Sequence, residues 1–193
     1  MARLGILKVR GERDVNCFVV SDSDAGEAVA IDPVEPAAKV LAQLTGLKVL
    51  WIVATHGHPG HLAGKEELKA ATGAETAMHM ADAKAFLKSA DRYLVDGDEL
   101  EFGGFKLGVM HTPGHTPGSL CFVVANHAFT GDTLLAGGIG KERPETDLRL
   151  QMVSIVSRLG ALPPRTALYP GHGAVTSLEA EFRTSPVFER LRA

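Results

Sequence analysis

Histidine carries the densest chemistry in this chain. Five of its eight histidines stand in loops that directly follow apolar, strand-like runs: His56, His58 and His61 after one run, His115 after another and His172 after a third. The segments are Thr55-His56-Gly57-His58-Pro59-Gly60-His61, then His111-Thr112-Pro113-Gly114-His115-Thr116-Pro117-Gly118-Ser119, then Phe129-Thr130-Gly131-Asp132-Thr133, then Tyr169-Pro170-Gly171-His172-Gly173. Each sets a His or Asp among Gly and Pro, residues that permit sharp turns and close backbone approach. Neutral imidazole with carboxylate is a donor set suited to zinc or non-haem iron. A hydrolytic metal site also needs open coordination positions, so that bound water can lose a proton near neutral pH. One loop histidine alone would read as an ordinary surface residue. Five at strand ends, joined by Asp132 in a glycine turn, read as a metal site. His79, His111 and His127 fall outside these positions and are expected to be structural. The chain has no G-x-S-x-G elbow, no Walker A loop and no C-x-x-C pair.

The elements that must hold these loops are visible as apolar runs. Ile6–Val9, Cys17–Ser21 and Ala28–Ile31 read as strands, the third closing at Asp32-Pro33, where proline cannot continue a ladder. Pro36–Leu44 has helical apolar spacing. Lys48–Ala54 is nearly continuous apolar sequence, expected of a strand buried on both faces with Trp51 in the core. A loop over 55–60 and a helix over 61–71 should follow, then a strand over 75–78 and a helix over 81–87. Further strands are expected over 99–102, 105–110, 119–125, 128–130 and 167–169, with helices over 152–159 and 177–183. Ligand sites in layered α/β folds collect at strand ends, because the sheet fixes the loops that leave it.

Composition fits that picture. At 193 residues, with 45% hydrophobic and 22% charged side chains, the chain is expected to be a single globular domain spanning 1–193. The formal net charge of −3 gives no basic excess to recruit nucleic acid. No apolar stretch approaches the roughly 18 residues that span a bilayer, and the N-terminus lacks a signal-peptide core, so no membrane partner and a cytoplasmic location are expected. Cys17 and Cys121 lie in apolar runs and read as buried, reduced thiols.

The order H-x-H-x-x-H, HTPGHTPGS, FTGDTLL and PGHG resembles the metallo-β-lactamase superfamily, and within it the compact glyoxalase II-like (hydroxyacylglutathione hydrolase-like) branch. The likeness also runs through VNCFVV at Val15, AIDP at Ala30, DGDEL at Asp96 and GGIGK at Gly137. It implies an α/β fold, an αββα sandwich of two mixed sheets flanked by helices, with metal at one edge. It implies that His56, His58 and His115 match a first metal site and that His61 and His172 match a second. Asp132 matches the carboxylate between them. Asp32 matches an aspartate that orients a ligand histidine, with a plain turn acceptor before Pro33 as its alternative. Lys141 matches a lysine that binds a glutathione carboxylate, and Arg143 adds a second cation; solvated loop charges are the alternative. The helical C-terminal domain of the larger glyoxalase II enzymes has no counterpart in the residues after Gly173.

The chain departs from the family pattern at Gly60, where H-x-H-x-D-H has its aspartate. That residue normally binds the second metal and orients the attacking water. Glu66 and Glu67 lie too far along the next helix to replace it. Four readings stay open. The site works with one tight metal, or keeps two with water or another carboxylate in the gap. Otherwise it has lost catalysis, or position 60 carries an introduced substitution. The implied function is hydrolysis of a small thioester or related acyl compound by metal-bound hydroxide, with one or two Zn²⁺, Asp132 and His172 being the catalytic pair. The alternatives are a mononuclear Fe²⁺ persulfide dioxygenase using His56, His115 and Asp132 on a thiol-derived substrate, and a degenerate member that binds metal or ligand without turnover.

Overall fold

The computed structural model describes residues 2–189. Met1 and residues 190–193 of the expected 1–193 domain lie outside the described residues. Two six-stranded sheets run in sequence order. The first holds β1 (Leu4–Arg10), β2 (Asn16–Asp22), β3 (Glu27–Ile31), β4 (Lys48–Val53), β5 (Glu75–His79) and β6 (Arg92–Leu94). β1 to β3 pair antiparallel, and β3 to β6 pair parallel. The second holds β7 (Glu99–Phe102), β8 (Phe105–His111), β9 (Leu120–Val124), β10 (His127–Gly131), β11 (Ala167–Pro170) and β12 (Thr176–Ser177). Only its β10–β11 pair is parallel.

Side-chain alternation explains the layering. On β2, Phe18 and Val20 face the space between the sheets, where they join Leu100, Leu107, Phe122 and Phe129 of the second sheet. Cys17 and Val19, one residue out of phase, face the other way and pack with Val40 of α1 (Ala37–Gln43) and Leu68 of α3 (Lys65–Thr72). The second sheet repeats the pattern. Cys121 and Leu168 turn outward onto Ile155 of α5 (Leu148–Ser157) and Leu178 of α6 (Leu178–Thr184). Both faces of each sheet are thus covered, giving the expected αββα sandwich of mixed sheets. Phe18 packs against the rings of Phe129 and Tyr169 at 5.4 and 5.5 Å, and its truncation to Ala should cost about 3–5 kcal/mol. Both cysteines are buried free thiols, and burial pushes Cys121 up to about 11. No described helix is long and apolar enough to cross a membrane.

Two expectations need correction. The single helix over 61–71 is split into α2 (Pro59–Leu62) and α3. The break falls at Gly64, whose N–H donates to Pro33 O at 2.8 Å, and where a Cβ would lie 2.3 Å from Val34 O. The chain must pass that close to the β3 exit, and no side chain fits. Trp51 sits at the rim of the inter-sheet core rather than inside it. Its indole N–H needs an acceptor, which it finds in Glu101 O at 3.2 Å.

Candidate metal centre

Five strand exits converge at one end of the sandwich. β3 delivers Asp32, in a left-handed backbone conformation (φ 55°) that aspartate tolerates. β4 runs into the loop with His56 and His58, and α2 carries His61. β8 leads to the His115 loop, β10 ends beside Asp132, and β11 ends before His172. Asp82, fully buried on α4 (Met80–Ala85), ties two of these loops together. It accepts from Gly57 N–H at 2.6 Å, Thr116 Oγ1–H at 2.8 Å and Gly118 N–H at 2.6 Å.

The expected residues do come together. The donor atoms of His56, His58 and His115 lie within 4.8 Å of one another, as do those of His56, His61 and Asp132. Asp132 spans the two groups: Oδ1 is 3.7 Å from His61 Nε2, while Oδ2 is 3.6 Å from His115 Nε2 and 3.5 Å from His172 Nε2. His56 neighbours both groups, where the family pattern had placed it with the first alone. His172 is the most open of the set and anchors its Nδ1–H on Asp14 O at 3.0 Å.

Four of the five rings are held from behind, while His115 Nδ1 is buried without a partner. His61 Nδ1 contacts Asp32 Oδ2 at 2.9 Å, and Thr55 Oγ1 bridges His56 Nδ1 and the same oxygen at 3.0 and 2.8 Å. Asp32 Oδ1 accepts Thr55 N–H at 2.7 Å. Satisfying these groups together turns Nε2 of both His56 and His61 inward. His58 is reversed. Its Nδ1 faces His115 Nε2 at 3.1 Å, and its Nε2 meets Glu145 Oε1 at 2.6 Å.

The donors fit a cation. His56 Nε2, His61 Nε2 and Asp132 Oδ1 are buried without a hydrogen-bond partner. Buried polar atoms are rarely orphaned, so three facing one space point to an ion between them. The space is protected: a Cβ on Gly171 would lie 2.6 Å from both Asp132 Oδ1 and His61 Cε1. Burial, reinforced by neighbouring imidazoles, drives His56 well below the usual histidine range. Burial likewise takes His115 down to about 4, against the pull of Asp132. Both are neutral at pH 7, the form a metal needs. His61 shifts upward instead, because Asp32 and Asp132 together outweigh its burial.

A cavity of about 650 Å³ opens onto this centre. His58, His61, Asp132 and His172 form its floor, and Val15, Leu135 and Ile139 an apolar wall. Lys141 and Arg143 line it as expected, together with Arg10 and Arg13, which sequence reasoning missed. Arg10 is paired with Asp14 at 2.7 Å. Gly60 lines the same cavity, so the position lacking its aspartate is at the centre's open side. Glu66 is exposed and pairs with Lys65 at 3.0 Å, away from the site. His79 and His111 stack on each other at 4.3 Å, and His127 contacts Tyr169 Oη at 2.9 Å, outside the centre as expected. Glu145 and Asp82 were also missed. Neither lies in a spaced motif, and both act through contacts that chain distance conceals.

A model of the metallo-beta-lactamase superfamily matches residues 10–183. The hydroxyacylglutathione hydrolase of Cereibacter sphaeroides is 39% identical over 163 residues, covering 82% of this chain and 62% of that protein. The mitochondrial persulfide dioxygenase ETHE1 of Bos taurus is 34% identical over 177 residues, covering 86% of this chain and 68% of that protein. Among solved structures, TTHA1623 in a di-iron-bound form superposes with a TM-score of 0.77 at 32% identity, over 94% of this chain and 98% of that one.

Proposed function

The chain belongs to the metallo-β-lactamase superfamily, and we propose that it is a metal-dependent hydrolase of a small, anionic thioester or related acyl compound. The observation that carries this reading is the convergence of three unpartnered buried donors, His56 Nε2, His61 Nε2 and Asp132 Oδ1, beneath an open cavity. The likeness to a hydroxyacylglutathione hydrolase supports the substrate class. His56, His58 and His115 would hold one ion, His61 and His172 a second, with Asp132 between them. A bound cation there would supply Lewis acidity and an acidified water. The protein's own groups do the rest. Asp32, Thr55 and Glu145 set which ring nitrogen each histidine offers. Asp132 faces both halves of the centre, Oδ1 toward His61 and Oδ2 toward His115 and His172. Val15, Leu135 and Ile139 exclude bulk water from one side, and Lys141 and Arg143 receive an anionic tail at the mouth.

A second reading is persulfide dioxygenation on a single iron, with His56, His115 and Asp132 as its facial triad. Gly60 favours it, because that triad needs no carboxylate at position 60, and so does the likeness to ETHE1. The two are separated by assaying zinc-loaded and iron-loaded protein in parallel. The hydrolase reading expects thiol release from a hydroxyacyl thioester of glutathione and no oxygen uptake with glutathione persulfide. The reverse pattern overturns it in favour of the dioxygenase.

A further inference from the structure

We propose that Glu145 is a positioning residue of the metal centre, a carboxylate that fixes His58 as an Nδ1 donor and adds negative charge behind it. The proposal rests on reading this cluster as a metal site, and not on which substrate is turned over. Glu145 Oε1 lies 2.6 Å from His58 Nε2, a charge-assisted contact by its length. His58 is nearly buried, and its other nitrogen, Nδ1, faces His115 Nε2 at 3.1 Å. The carboxylate therefore decides which nitrogen carries the proton, leaving Nδ1 with its lone pair toward the cluster. Carboxylate behind imidazole also makes the ring a stronger donor.

The placement of Glu145 is built, not incidental. The next residue, Thr146, donates its hydroxyl to His115 O at 3.1 Å, and Asp147 N–H donates to Gly114 O at 2.7 Å. Asp147 then caps α5 by accepting Leu150 N–H at 2.9 Å. Residues 145–147 thus grip the His115 loop while reaching across to His58, so one strap spans two candidate ligands of the same ion. The two carboxylates behind the centre differ in kind. Asp32 is enclosed between Thr55 and His61, whereas Glu145 is about a quarter exposed on a segment that also carries Lys141 and Arg143. Gly60 stands where the family pattern has an anionic donor to the other half of the centre. Glu145 therefore deepens the asymmetry, supporting the ion held by His58 more than its neighbour.

The test is Zn²⁺ affinity, measured by competition with a chromophoric chelator on metal-free protein, for native, Glu145→Ala, Glu145→Gln and Glu142→Gln. Glu142→Gln removes the same charge three residues away without touching His58. Losing an outer-shell partner of this kind typically costs about 10–100-fold in metal affinity, which is the loss expected for Glu145→Ala at the tighter ion. Glu145→Gln keeps an acceptor for His58 Nε2–H but not the charge, and should lose less. Glu142→Gln should stay within twofold of native. Native affinity in Glu145→Ala, or an equal loss in Glu142→Gln, overturns the proposal. Should Glu145→Ala fail to fold, Glu145→Gln decides alone, a loss beyond threefold supporting the proposal and native affinity overturning it. A native protein that binds no Zn²⁺ would instead overturn the metal-site reading itself.

Discussion

Asp32 Oδ2 lies 2.9 Å from His61 Nδ1, and both side chains are almost wholly buried. The same carboxylate takes the N–H and hydroxyl of Thr55, so one residue at the end of β3 sets both the β4 exit and the ring orientation of His61. Asp32 thus makes both a turn contact before Pro33 and a contact to a candidate ligand histidine.

Asp32→Asn tests this contact, because asparagine also tolerates the left-handed backbone at φ 55°. It should weaken the ion held by His61 by about 10–100-fold. Imperfect pairing of the buried Thr55 and His61 groups should also lower stability by about 1–3 kcal/mol. Chelator competition and urea melts read the two effects, and unchanged metal affinity would leave Asp32 as a turn acceptor only.

His58→Ala and His115→Ala should each strip the tighter ion and abolish turnover. Each deletes one of few donors in the cluster. Metal content after gel filtration checks this; a variant that retained full metal and full rate would refute the ligand assignment.

The site was legible in the sequence where chemistry is local and periodic. The H-x-H-x-x-H run, the Gly- and Pro-rich loops and the apolar strands before them placed the six candidate donors in loops at strand ends, and the family resemblance implied that these meet at one edge. What escaped depends on contacts that no spacing encodes. Gly64 breaks the helix because Pro33 and Val34, thirty residues away, press against it. Asp82 and Glu145 are single acids in unremarkable stretches, and only folding brings them to Gly57 and His58. Trp51 was misplaced because an apolar run does not say where its indole N–H must find an acceptor.

Metal-free protein should lose stability as pH falls. His115 titrates at about 4 in the fold against 6.5 when unperturbed, so between those values the unfolded chain binds a proton that the native state refuses. His56 shifts in the same direction. The contribution is present above pH 6.5, is lost on the way down toward 4, and is of order 3 kcal/mol for His115. His61 works oppositely, its contribution being present below 6.5 and lost as pH rises through its raised value. Urea midpoints in chelator at pH 7 and pH 4.5 should therefore differ, with the lower value at pH 4.5. Equal midpoints would contradict the burial of uncharged imidazoles.

Lys141→Ala should raise KM for an anionic thioester while sparing a neutral one. Lys141 lines the cavity but is exposed, so the loss belongs at the low end for a charge-assisted bond, about 1.5 kcal/mol or roughly tenfold in KM. Equal effects on both substrates would mean that Lys141 is a solvated charge.

Because Gly60 offers no carboxylate, the two halves of the metal centre are expected to be unequal. Gly60→Asp should tighten the weaker ion by more than about tenfold, since even an outer partner is worth that much. The new side chain must ease past Val15 Cγ2, which would sit 3.1 Å from its Cβ. The most direct measurement is calorimetric titration of the metal-free native protein with Zn²⁺. This inequality predicts one equivalent bound at least about tenfold more tightly than the next. Two indistinguishable tight equivalents, or no binding by folded protein, would contradict it.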